Sequence, residues 1–169
     1  MVRFVDCGEL SQTNGRGLSI PLILNKSGII SGDFRITSEF VEDGKLNFPV
    51  EIKEVGGDFI CYDAQLISLE GCPKKVGGLF WCSSNELTTL EGCPQKVGGK
   101  FLCGNNKLTN LKGAPEYISD YFSCSDNNLS SLDGCPKKVG GDFNIKNNTK
   151  QFTEEEVRAV CNVKGKVIV

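Results

Sequence analysis

Nine cysteines and no histidine bound the chemistry open to this chain. Cys61, Cys82, Cys103 and Cys124 fall one per 21 residues, and Cys72, Cys93 and Cys135 form a second series in which Ala114 fills one place. Thiol metal sites use closely spaced Cys-x-x-Cys pairs, and this chain has none. The lack of histidine removes the commonest general base and the commonest metal ligand together. A place that accepts Ala reads as a small packing position, so the cysteines are expected to be reduced and buried. Gly56-Gly57, Gly77-Gly78, Gly98-Gly99 and Gly140-Gly141 invite a phosphate-loop reading. The Lys that follows in a phosphate loop is missing, and Ser119-Asp120 replaces one pair. Asp tolerates left-handed torsions, so the pairs are expected to serve turn geometry. Lys74, Lys75, Lys96, Lys137 and Lys138 suggest a basic stripe, with Glu70, Glu91 and Asp133 as an acidic column nearby. With no Arg or aromatic read in register with those lysines, the stripe is expected to be a mixed, solvated edge. No nucleophile–base pair or cofactor motif stands out, so no enzyme, catalytic residue, metal or cofactor is expected.

The elements that position these residues come from an internal repeat. Phe59, Phe80, Phe101, Phe122 and Phe143 are 21 residues apart. The same step joins Leu66, Leu87, Leu108 and Leu129, then Leu69, Leu90, Leu111 and Leu132. It also joins Gly71, Gly92, Gly113 and Gly134, and Pro73, Pro94, Pro115 and Pro136. Phe-x-Cys alternates apolar and variable positions, as in a short half-buried strand. One such strand cannot bury its face, but stacked copies can, each adding a strand about 4.8 Å along a parallel sheet. Phe, Cys, both Leu and Val then point inward. Asn85, Asn106, Asn127 and Asn148 follow the strands, where a buried amide can satisfy backbone groups at a bend; Ala64 breaks that column. Ser31-Gly32-Asp33-Phe34-Arg35-Ile36 is a degenerate earlier copy, and the extra residues around Glu42-Asp43-Gly44 read as a surface turn.

The order Phe80-x-Cys82-x-x-Asn85-x-Leu87-x-x-Leu90 resembles the leucine-rich-repeat core, with Phe and Cys in two leucine places. The short return through Leu69-Glu70-Gly71-Cys72-Pro73-Lys74-Lys75-Val76-Gly77-Gly78 looks like that of leucine-rich-repeat proteins of bacteriophages and prophages, the short bacterial class. The resemblance covers roughly residues 30 to 148. It implies a repeat solenoid with a parallel β-sheet on its concave face, irregular or 3-10 returns and a partner bound on that face. A phage origin would further imply an accessory or counter-defence role.

Solenoid ends expose core and need caps. Residues 1–30 are assigned as the N-terminal cap, 31–148 as the solenoid and 149–169 as the C-terminal cap, all one structural domain. Leu18, Ile20, Leu22 and Leu24 alternate as in a strand, with Pro21 pointing to an edge position. Thr153 and Glu156 form a capping box for a short helix running to about Cys161, with Val157 and Val160 facing in. Gly165 is expected to end that helix, and Val167-Ile168-Val169 to add a last strand.

The outward strand positions carry the functional reading. They are Asp58, Ile60 and Tyr62; Leu79, Trp81 and Ser83; Lys100, Leu102 and Gly104; Tyr121, Ser123 and Ser125; and Asp142, Asn144 and Lys146. Ile60, Trp81 and Leu102 would stand side by side, flanked by Tyr62, Leu79, Lys100 and Tyr121. Exposed aromatic and apolar side chains gathered in one patch mark a binding site. The expectation is a non-enzymatic module that binds a protein through these residues, with self-assembly on the same patch or an open solenoid end as the alternative. A net charge of −2 argues against a general attraction to nucleic acid or anionic membranes. The start, Met1-Val2-Arg3-Phe4-Val5-Asp6, lacks the features of a signal peptide, so a cytoplasmic location is expected.

Overall fold

The computed structural model of the chain describes residues 9–13, 19–23 and 28–169. Leu18 and Leu24, which the expected N-terminal strand included, lie outside the described residues. The body is a β-solenoid whose turns stack by parallel pairing. One seven-stranded sheet runs through the Phe positions, from Phe34–Arg35 through Phe59–Ile60, Phe80–Trp81, Phe101–Leu102, Phe122–Ser123 and Phe143–Asn144 to Val167–Ile168. Phe80 lies beside Phe59 and Phe101, as the 21-residue step requires. The rungs are joined by bonds such as Phe80 N–H to Lys100 O (2.9 Å) and Cys82 N–H to Leu102 O (2.8 Å).

The returns are more ordered than expected. Each contains a two-residue extended segment, and these form a second seven-stranded parallel sheet: Ile29–Ile30, Glu54–Val55, Lys75–Val76, Lys96–Val97, Tyr117–Ile118, Lys138–Val139 and Asn162–Val163. Among the described residues the only 3-10 segment is Ser38–Phe40, in the longer first copy. That copy also holds the hairpin Val41–Glu42 with Lys45–Leu46. Its turn residues Asp43 (φ 49°) and Gly44 (φ 72°) are left-handed, the Asp-Gly chemistry that two-residue hairpins favour. Before the solenoid, Glu9–Thr13 pairs antiparallel with Ser19–Ile23, and Pro21 lies opposite Ser11. In a two-stranded sheet every strand is an edge, which accommodates the proline.

The core is a set of columns. Phe34, Phe59, Phe80, Phe101, Phe122 and Phe143 are fully buried, with neighbouring ring centroids 4.8–5.8 Å apart. Val55, Val76, Val97, Ile118, Val139 and Val163 form the inward column of the second sheet. The Gly pairs do not serve the reason expected of them. Neither glycine of any pair has positive φ. Instead, a Cβ added at Gly77 or Gly98 would strike the carbonyl oxygen of the glycine one turn below. Close backbone approach between turns, not handedness, favours glycine there. Positive φ falls on Gly71, Gly92, Gly113 and Gly134, at 80–92°, where the return bends before Cys-Pro.

The Asn column holds the other bend. Asn106 Nδ2 donates to Cys82 O and Cys103 O (both 3.1 Å) and to Gly104 O, while its Oδ1 accepts from Leu87 N–H (3.1 Å). Asn85, Asn127 and Asn148 repeat the pattern. Ala64 lacks an amide, and its own N–H donates to Asn85 Oδ1 (3.1 Å).

The C-terminal cap is the helix Glu154–Val160 with the expected capping box at Thr153 and Glu156. Val157 is buried, but Val160 is exposed, contrary to expectation. The inward stripe runs instead through Val157 and Cys161, four residues apart, and Cys161 N–H closes the helix on Val157 O (2.9 Å). The helix therefore stops before Gly165. Gly165 occupies a solenoid corner, where a Cβ would meet Asp142. Asn162–Val163 and Val167–Ile168 complete a last rung on the preceding copy.

Replacing Asn106 with Ala leaves the buried Leu87 N–H without its side-chain acceptor, whereas Cys82 O and Cys103 O keep a second Asn each. The expected cost is about 1–3 kcal/mol in urea unfolding. An unchanged midpoint would contradict the role assigned to this column.

Candidate functional site

The pleat decides what the Phe sheet shows to solvent. Phe80 and Cys82 are fully buried, so Trp81 between them turns outward. Register then aligns Trp81 with Ile60 on one side and Leu102 on the other. The row continues through Arg35 beside Ile60 and through Ser123 and Asn144 beyond Leu102. Ile60, Trp81 and Leu102 are half-buried, and Tyr62 is 39% exposed. The Tyr62 and Trp81 rings lie 4.7 Å apart, tilted by 43°. Leu79 and Tyr121 are also half-buried and Lys100 is exposed.

Two details differ from the sequence reading. Asp58 and Asp142 were grouped with the outward positions, yet their carboxylates serve the backbone. Asp58 Oδ1 accepts from Leu79 N–H and Asp142 Oδ1 from Lys166 N–H, both at 2.8 Å. Ser123 is 9% exposed, because a short side chain lies between Leu102 and Asn144. One contributor was missed. Arg35 falls outward by the same alternation that buries Phe34 and Ile36. It lines a cavity of about 460 Å³ with Tyr62, Asp63, Asp43 and Gln65. The apolar row thus ends at a polar recess with a guanidinium on its wall.

The second sheet shows a different outer face. Glu54, Lys75, Lys96, Tyr117, Lys138 and Asn162 occupy successive rungs of one column. The expectation that no aromatic stands in register with the lysines is therefore corrected: Tyr117 lies between Lys96 and Lys138. The signal was the same 21-residue step, applied to a position where three of the neighbours are lysine. Glu54 is bridged to Lys75 (2.6 Å) and Glu116 to Lys137.

The eight described cysteines are free, and all but Cys135 are buried. Burial raises the thiols of Cys61, Cys72, Cys82, Cys103 and Cys124 well above the ordinary range, and pushes Cys93 up to about 12. At the cap, Cys135 hydrogen-bonds to Cys161, which raises Cys135 and lowers Cys161. Among the described residues no three His, Cys, Asp or Glu side chains are gathered closely enough to hold a metal ion. No helix among them is long and apolar enough to cross a membrane.

No protein-family model, curated protein or solved structure matches this chain.

Two measurements test these placements. Trp81→Ala removes a half-buried ring and its Tyr62 contact, and should cost clearly less than emptying a fully buried position. Phe101→Ala empties a fully buried position and should cost about 3–5 kcal/mol. Comparable losses from both would show Trp81 to be core. In thiol counting at pH 8, thiols that are buried and whose pKa burial raises stay protonated and out of reach of the reagent. The core cysteines should therefore resist labelling in the native protein. All nine thiols should react after unfolding without reductant, and a lower count would reveal a disulfide.

Proposed function

We propose that this protein is a non-enzymatic interaction module that binds a protein partner through the outer face of its Phe sheet. The observation that carries the reading is the row Ile60–Trp81–Leu102, with Tyr62 packed on Trp81. Aromatic side chains held on a rigid sheet lose little freedom on binding and supply much contact area, which is the composition of binding hot spots. Lys100 and Tyr121 supply a polar margin on one side, and Arg35 and the recess beside Tyr62 supply one on the other. The phage-type wording of the returns supports a narrower reading: an accessory or counter-defence protein that inhibits a host protein in the host cytoplasm.

A second reading is self-assembly. It is favoured by Val167–Ile168, the end strand of the Phe sheet, which among the described residues pairs on one side only, with Val169 beyond it half exposed. An open strand edge can template pairing with another chain.

Capture from a bacterial host lysate, comparing the natural chain with Trp81→Ala, tests the first reading. A specific partner retained by the natural chain and lost by the folded variant is expected. A partner held equally by both would remove the patch from the interface. Self-assembly through the Val167–Ile168 edge predicts instead that the natural chain sediments as an oligomer, that Ile168→Lys shifts it to smaller species, and that Trp81→Ala leaves it assembled.

A further inference from the structure

The column on the outer face of the second sheet is cationic at a chain whose net charge is −2. Lys96, Tyr117 and Lys138 stand on consecutive rungs, about 4.8 Å apart. Lys164 projects from the next turn, where its N–H donates to Val139 O (2.9 Å). The two carboxylates closest in sequence and register, Glu54 and Glu116, are already bridged to Lys75 and Lys137. Among the described residues no carboxylate lies within ion-pair distance of Lys96, Lys138 or Lys164. Three ammonium groups are therefore left without a partner on one face.

Tyr117 is the second, independent feature. It is 60% exposed, the most exposed large apolar or aromatic side chain among the described residues. It lines a shallow trough of about 600 Å³ with Lys138 and Lys164, where Ile118, Ser119 and Gly140 complete the lining. An unstacked ring beside a shallow trough accepts a flat partner, and the surrounding ammonium groups accept an anion. Aromatic platforms set in a positive groove are how single-stranded nucleic acids are held without sequence preference. An acidic peptide would satisfy the lysines but has no obligatory flat ring for Tyr117.

We propose that this face binds single-stranded nucleic acid, with a base stacked on Tyr117 and phosphates paired to Lys96, Lys138 and Lys164. The overall negative charge sets long-range attraction, and it weakens affinity without removing a local cationic site. The surface is separate from the Trp81 row, so either proposal can fail without the other.

Fluorescence anisotropy of the full chain with a labelled oligothymidylate of about 12 nucleotides tests this. Saturable binding in the range of about 10–100 μM is expected at low salt. Three phosphate contacts predict a loss of about twentyfold between about 50 and about 200 mM salt. Tyr117→Ala should weaken binding at least about fivefold with the salt dependence unchanged. The double change Lys138→Gln with Lys164→Gln should flatten the salt dependence. Trp81→Ala should bind the oligonucleotide as the natural chain does. All four side chains are at the surface, and thermal melting of each variant separates lost binding from lost fold. Absence of saturable binding at low salt would overturn the proposal. So would binding indifferent to Tyr117→Ala, or equal competition by polyglutamate, which would assign the lysines to acidic peptides.

Discussion

A carboxamide in each of four successive turns, Asn85, Asn106, Asn127 and Asn148, holds this solenoid at the bend after the Phe-x-Cys strand. After each Phe-x-Cys strand the backbone must leave the sheet, and the residue before the Asn adopts a left-handed conformation: Ser84, Asn105, Asp126 and Asn147 have φ of 54–57°. Ser84, Asn105 and Asp126 N–H keep rung-to-rung acceptors, but the N–H groups of Leu66, Leu87, Leu108 and Leu129 turn to the Asn Oδ1 of the next turn. Each Asn answers for its own turn and for the one before, as Asn85 does with Cys82 O and Cys61 O. Because the amide reaches across two turns, it also fixes their relative register. The columns of Phe, Cys and Leu can align only if that register is kept, so the core depends on a polar interaction.

The second sheet follows from the same requirement. Once one bend is fixed at a constant rise, the opposite side of each turn must repeat at the same rise. Its extended residues then lie within pairing distance of their neighbours. Two residues per turn are enough, since Gly-Gly lets successive backbones approach at the corner. Asp33, Asp58 and Asp142 close that corner where they occur, each accepting a backbone N–H from the next turn. Where Leu79, Lys100 and Tyr121 replace Asp, the corner persists without a carboxylate, so packing at the glycines suffices there.

The strand register and the core were legible in the sequence because every inward column repeats an apolar residue at one step. Phe80 inward and Trp81 outward follow from alternation alone. The second sheet was not legible. Lys75–Val76 is too short to show a period, and one inward Val per turn looks the same in an irregular return. The helix face was misjudged at Val160 because spacing alone does not say where a seven-residue helix ends, and Cys161, not Val160, turned out to complete the buried stripe. Arg35 was missed because the first copy is degenerate, and Tyr117 because a basic stripe was read as lysines rather than as a column.

The inward and outward columns answer to different constraints, so chemical variety gathers where the repeat is least regular. An inward residue touches its equivalents above and below, so a change of volume strains three turns at once. An outward residue meets only its neighbours on one face and solvent. Ile60, Trp81, Leu102, Ser123 and Asn144 therefore differ in chemistry while Phe59, Phe80, Phe101, Phe122 and Phe143 do not. The apolar part of that row spans three rungs, about 10 Å at strand spacing. That length makes the row a compact patch rather than an extended apolar groove. It ends abruptly at Arg35 and at Ser123, so the apolar stretch occupies one place along the solenoid and does not recur on the other rungs.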